Sequence, residues 1–125
     1  MSVPVAHTLP KAERLCGVKN IAALLKRGRY GNVSCLRYCY AVGNGTGCNR
    51  ILISVPKKQF KRAVQRNLIK RRIRESYRLQ KEKLPVGKEG TDVMFIYTAP
   101  AILPFAPIFA AVGTILENLH ADGTE

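Results

Sequence analysis

The sequence predicts an α/β (α+β) sandwich, a single domain whose elements read in the order αββαβα. Three observations predict it. Apolar residues fall at helical spacing in three segments, at about 19–27, 59–82 and 104–119. Three runs rich in β-branched and aromatic residues, 33–42, 50–55 and 92–98, are bounded by Gly and Pro. The chain has 125 residues, no internal repeat and no linker long enough to divide it, which suits one core.

The first helix spans Lys19–Arg27, with Ile21, Leu24 and Leu25 on one side and Gly28 as its stop. Val33–Val42, VSCLRYCYAV, suits a strand, and a period of two puts Leu36, Tyr38 and Tyr40 on one face with Cys35, Arg37 and Cys39 on the other. Gly43–Gly47, GNGTG, reads as a hairpin loop leading to a returning strand at Arg50–Val55. Those glycines do not read as a nucleotide-binding loop, because no Lys-Ser or Lys-Thr follows and the flanks are strand-like. A charged helix then runs from about Gln59 to Glu82, ended by Pro85 and Gly87, and Asp92–Thr98 is a buried strand. In the last helix Pro104 and Pro107 fit the start or first turn, and Ile108, Val112, Ile115, Leu116 and Leu119 form a stripe that packs on the sheet.

Hydrophobic and charged fractions of 46% and 23% suit a folded domain, so the charge balance is the informative number. Twenty-one Lys and Arg against eight Asp and Glu give +13, which points to a polyanionic partner. A membrane is the weaker candidate, since no stretch approaches the roughly 18 uninterrupted apolar residues of a spanning helix. The N-terminus lacks the pattern of a secretory signal, so a cytoplasmic location is expected. Cys16, Cys35, Cys39 and Cys48 form no CxxC pair, and His7 and His120 lie near opposite ends, so reduced thiols and no metal site in the protein are expected. The charge is also uneven: residues 1–56 carry +7, residues 57–83 carry +10 and residues 84–125 carry −4.

On a helical wheel Arg66, Asn67, Lys70, Arg71, Arg74, Arg78 and Lys81 share an arc of about 140°. The opposite arc holds Val64, Leu68, Ile69, Ile73 and Leu79, interrupted by Arg72 and Glu75. One side is therefore read as buried against a sheet and the other as wet. A solvated helix face normally alternates its charge signs to gain i,i+4 pairs, and this one scarcely does. Neutralisation by a phosphate backbone offsets the repulsion, which makes the helix a nucleic-acid surface. Composition does not decide between RNA and DNA, although the sequence has no helix-turn-helix, zinc finger or basic zipper. Tyr38 and Tyr40 are candidate stacking surfaces for single-stranded RNA.

The stretch Lys57–Arg78, KKQFKRAVQRNLIKRRIRESYR, resembles the signature of the bacterial ribonuclease P protein subunit: the pair Arg66 and Asn67, then Lys70 and Arg71, then Arg74 and Glu75. The similarity extends to Arg14 and Leu15, to LLKRGR at Leu24–Arg29, to ISVPKK at Ile53–Lys58 and to DVMFIYT. It implies the order α-β-β-β-α-β-α or close to it, and a mixed sheet with a βαβ crossover, left-handed in that family, carrying the basic helix. It also implies a subunit that joins a catalytic RNA to cut precursor transfer RNA at the mature 5′ end, the RNA holding the Mg2+ and doing the chemistry, so that no catalytic residue is expected in this chain.

By position, the resemblance makes Lys57, Lys58, Arg62, Arg66, Asn67, Lys70, Arg71, Arg74 and Arg78 the RNA-contacting set, within a basic segment 57–83. Ile21, Leu25, Tyr38 and Tyr40 become the wall of a cleft for the single-stranded 5′ leader. The chain departs from the pattern at Leu68, often arginine, and at Ile21 and Leu25, where aromatic residues are common. Two other readings are a general or ribosomal RNA-binding protein without a processing role and a self-sufficient ribonuclease; the latter lacks an evident acid–base pair.

Overall fold

Four strand runs pair into one mixed sheet, and the two sides of that sheet decide where every helix goes. The computed structural model of the protein describes residues 13–84 and 90–123. Its elements are α1 (Val18–Arg27), β1 (Arg29–Val33), β2 (Leu36–Val42), β3 (Arg50–Ser54), α2 (Ala63–Gln80), β4 (Thr91–Tyr97) and α3 (Phe105–Gly123), with a 3-10 turn at Lys81–Lys83. The sheet order is β1-β2-β4-β3. β1 and β2 are antiparallel, as are β2 and β4, whereas β3 runs parallel to β4, so α2 is the crossover helix of a βαβ unit.

Alternation sorts the side chains into two layers. Leu36, Tyr40, Val93, Phe95, Tyr97 and Ile51 point to one face and bury against Ile69, Ile73 and Tyr77 of α2 and Ile108, Val112, Ile115, Leu116 and Leu119 of α3. Cys39, Ala41, Leu52 and Met94 point to the other, where Leu15, Ile21 and Leu24 meet them as α1 packs on β2. The α2/α3 contact is tied by polar side chains as well. Gln80 donates to the Phe109 carbonyl (2.9 Å) and the Ser76 carbonyl (3.1 Å), and Arg72 donates to the Leu103 carbonyl.

Two departures from the sequence reading concern β-structure. Residues 33–42 are not one strand, because Val33 closes β1, Ser34 takes a left-handed φ of 52° in a tight turn with Cys35, and β2 starts at Leu36. Nor is the GNGTG segment a hairpin loop. β4 lies between β2 and β3, so the segment carries the chain past β4 from one of its neighbours to the other. Mostly buried along its length, β4 takes the central position, and Asn44 anchors the loop to it by donating to the Asp92 carboxylate and the Cys48 carbonyl, both at 2.8 Å.

Gly28 ends α1 for a steric reason. Its φ of −73° is open to any residue, but a Cβ there would sit 2.3 Å from the Cys39 sulfur and 2.6 Å from the Leu24 carbonyl oxygen. α2 begins four residues later than the expected Gln59, and Val64 in its first turn is 78% exposed rather than part of the buried arc. All four cysteines are free, Cys35 and Cys39 buried and Cys16 exposed. Among the described residues no cluster of His, Cys, Asp and Glu is built to hold a metal, and no helix is long and apolar enough to cross a membrane. His7, Pro85 and Gly87 lie outside the described residues.

Candidate nucleic-acid interface

Burial of Ile69, Ile73 and Tyr77 fixes the rotation of α2 and turns its cations outward. Asn67, Arg71 and Arg74 are exposed, Lys70 is half-buried, and Lys57, Lys58 and Arg62 are exposed just before the helix. The side chains of Arg62, Lys70, Arg71 and Arg74 have no hydrogen bond or ion pair with the described residues. Arg66 is partly committed: its Nη1 donates to the carbonyls of Phe60 (2.7 Å) and Lys61 (2.9 Å), holding the preceding turn against the helix. Arg78 pairs with Glu75 and Lys81 with Glu13, the latter at 3.2 Å, so the far end of the helix is largely neutralised. Along α2 and the residue before it, the cations without an acidic partner among the described residues thus run from Arg62 to Arg74.

On one flank of α2, Lys70 and Arg74 line a groove of about 470 Å³ together with Arg14, Leu15, Cys16 and the β3 edge at Ile51, Leu52 and Ile53. Its far wall exists because Leu15 donates its backbone N–H to the Ile51 carbonyl (2.8 Å), laying the segment before α1 along β3. Arg14 is a groove residue that helix periodicity alone does not reveal, since it is brought to α2 only by that strand-like contact.

The four residues expected to form the leader cleft are not brought together. Tyr38 and Tyr40 pair with Phe95 and Val93 and pack into the α2/α3 layer, Tyr40 being only 6% exposed. Ile21 and Leu25 belong to α1 on the opposite side of the sheet, Leu25 being 44% exposed. The physical reason is parity in β2: the residues turned toward α1 are Arg37, Cys39 and Ala41. That surface has Cys39, Leu52 and Met94 as its floor, and Ile96 and Ser54 further along are half-buried. At its rim the Arg37 guanidinium lies 5.2 Å from the Tyr30 ring centroid, and the Tyr30 hydroxyl donates to the Leu25 carbonyl (3.3 Å). Burial pushes the Cys39 thiol above its ordinary range, with the Tyr30 hydroxyl and Arg37 pulling the other way.

Arg50, on the same sheet face, is not available to a ligand. Its Nε and Nη2 each lie 2.8 Å from an Asp92 carboxylate oxygen, and that hydrogen bonding raises the guanidinium pKa against the opposing effect of burial. Leu15 and Leu52 line the groove and also belong to the α1 layer, so the groove and the apolar surface under α1 share a wall. A cationic channel meeting a half-apolar sheet face can hold a phosphate backbone and accommodate bases beside it.

Residues 9–120 match the family described as Ribonuclease P. The chain belongs to the ribonuclease P family. A ribonuclease P protein component from Porphyromonas gingivalis is 40% identical over 86 residues, a match covering 67% of this chain and 63% of that relative, just under two-thirds of its length. One from Desulforapulum autotrophicum is 37% identical over 96 residues, covering 75% of this chain and 79% of the relative. Among solved structures, the Staphylococcus aureus RNase P protein superposes with a TM-score of 0.74 at 25% identity, over 87% of this chain and 96% of that one. The Thermotoga maritima RNase P protein gives 0.72 at 22% identity, a likeness of fold. In this family member the groove that carries Lys70 and Arg74 shares Leu15 and Leu52 with the apolar layer under α1.

Proposed function

We propose that this chain is the protein subunit of bacterial ribonuclease P, working in the cytoplasm with a catalytic RNA that cleaves precursor transfer RNA to give the mature 5′ end. The observation that carries the proposal is the groove in which Lys70, Arg74 and Arg14 run into the sheet face under α1. In this reading the exposed side of α2, preceded by Lys57, Lys58 and Arg62, binds the catalytic RNA, and the 5′ leader of the precursor lies on the α1 side of the sheet. Ile21 and Leu25 remain at that cleft, with Arg37, Cys39, Leu52 and Met94 in place of Tyr38 and Tyr40.

The reaction's Mg2+ is assigned to the RNA. Among the described residues the donor set does not fit a protein-held divalent ion, since no three His, Cys, Asp or Glu side chains cluster and the interface helix is cationic. The subunit acts by electrostatics and positioning, contributing to an endoribonuclease without carrying out its chemistry.

The test is to add the purified protein to a bacterial ribonuclease P RNA at low Mg2+ and follow cleavage of precursor transfer RNA. Stimulation that requires the RNA is expected. Binding without stimulation would make the protein a general RNA-binding protein, and cleavage by protein alone would make it a ribonuclease in its own right.

A further inference from the structure

The flank of α2 opposite the cationic groove has a different character. Leu68 and Phe105 wall a notch of about 330 Å³, with Arg71, Arg72 and Glu75 around them. One turn earlier on the same side of the helix stands Val64, a large apolar side chain left exposed on the most basic element of the protein. The apolar walls of a notch set in a strongly charged surface suit a ligand that carries both an apolar face and a negative charge.

The walls are held before any ligand arrives. Arg72 is fixed by its bond to the Leu103 carbonyl, Glu75 is occupied by Arg78, and the Phe105 ring packs against Phe109 with centroids 5.5 Å apart. Arg71 is exposed and its side chain has no hydrogen bond or ion pair with the described residues. The site therefore combines an aromatic wall, an aliphatic wall and a cation that no side chain among the described residues pairs, at a volume near the lower end of the roughly 300–1,000 Å³ of small-molecule sites. That is room for one heterocycle with its phosphate on Arg71, not for a packed protein segment.

We propose that the Leu68–Phe105 notch takes an unstacked nucleobase of the RNA bound along α2, the phosphate of that nucleotide meeting Arg71. The inference rests on the RNA-binding reading above and names a base-binding subsite within it. A protein segment with an apolar side chain would have to reach the notch past the uncompensated α2 cations, which a nucleotide's own phosphate neutralises.

The chain contains no tryptophan, so Phe105→Trp places a single indole in the notch. This variant is titrated with a bacterial ribonuclease P RNA and, separately, with inorganic polyphosphate, a polyanion without bases, while indole emission and retention of the polyanion are both followed. The RNA is expected to quench the indole as it binds, and polyphosphate to bind without quenching. RNA retained without quenching, or equal quenching by polyphosphate, overturns the notch while leaving RNA binding intact; failure of the unaltered protein to retain RNA overturns both. Leu68→Ala provides a second arm that keeps the helix favourable. It is expected to weaken RNA binding about tenfold with an unchanged salt dependence, as loss of one stacked base does. An unchanged affinity, or a loss that comes with a lower salt slope, overturns the assignment.

Discussion

Arg74→Ala tests the groove most directly, because Arg74 is exposed, lines it, and makes no ion pair or hydrogen bond with the described residues that its loss would break. Each phosphate contact contributes about 0.7–0.9 to the slope of log affinity against log salt. Between 50 and 200 mM salt, one contact is thus worth about a threefold change in affinity. The variant's deficit relative to the unaltered protein is expected to shrink about threefold across that range, measured by RNA-binding titrations at several salt concentrations. Lys70 stands one turn away in the same groove, so a double variant loses about 1.4–1.8 of slope if the two meet separate phosphates and about half that if they share a phosphate. Arg78→Ala is the internal comparison, since Glu75 already balances that charge. A deficit for Arg74→Ala that is the same at both salts, or a slope change for Arg78→Ala as large as that for Arg74→Ala, would refute the reasoning.

Gly28→Ala is expected to destabilise the fold by about 1–3 kcal/mol, as overpacking does, because its Cβ would lie 2.3 Å from the Cys39 sulfur; a denaturant midpoint unchanged from the unaltered protein would contradict the close approach. Asp92→Ala leaves Arg50 without its two hydrogen bonds at a largely buried site, and a loss of about 3–5 kcal/mol is expected in urea unfolding, the usual cost of breaking a buried pair. Recovery of most of that loss in a double Arg50→Met/Asp92→Leu variant separates the orphaned charge from damage to the loop. Burial raises the thiols of Cys35 and Cys39 above their ordinary 9.0 and the phenols of Tyr77 and Tyr97 above 10.0. The folded state therefore holds these protons longer than the unfolded chain, and stability is full below about pH 9 and falls as pH rises through the raised values. A thermal midpoint that rises from about pH 9 to pH 11 would reverse that sign.

Helix rotation was legible in the sequence and strand placement was not. The exposed arc of α2 follows from its residues alone, because the apolar side chains Ile69 and Ile73 fix which side is buried whatever they pack against. Val64 escaped that logic by standing in the first turn, where it is left 78% exposed. In β2, alternation shows that Leu36, Tyr38 and Tyr40 share a face but not which layer that face meets, and a sheet with helices on both sides offers two. The more apolar set goes to the larger α2/α3 core, leaving Arg37, Cys39 and Ala41 for α1. Nor does alternation order the strands: β2 and β3 both pair with β4, which starts about 40 residues beyond β3, and not with each other as the GNGTG turn signal between them suggests.

Parity in β2 is also open to experiment, through two variants that differ in which side of the sheet they touch. Arg37→Ala removes a cation and its contact with the Tyr30 ring from the α1 side, without opening the core. It is expected to lower the preference for leader-bearing over leaderless precursor, with little change in the unfolding midpoint. Tyr40→Phe keeps an aromatic ring in the α2/α3 layer and is expected to leave that preference unchanged, whatever stability it loses with the hydroxyl. Tyr40→Ala empties a buried ring site and is expected to cost about 3–5 kcal/mol, so its RNA-binding defects would report unfolding, not leader contact. The discriminating pair is therefore Arg37→Ala against Tyr40→Phe. Should Tyr40→Phe abolish leader preference in a folded protein while Arg37→Ala leaves it intact, the leader would lie on the tyrosine side, and α1 would have no part in the cleft.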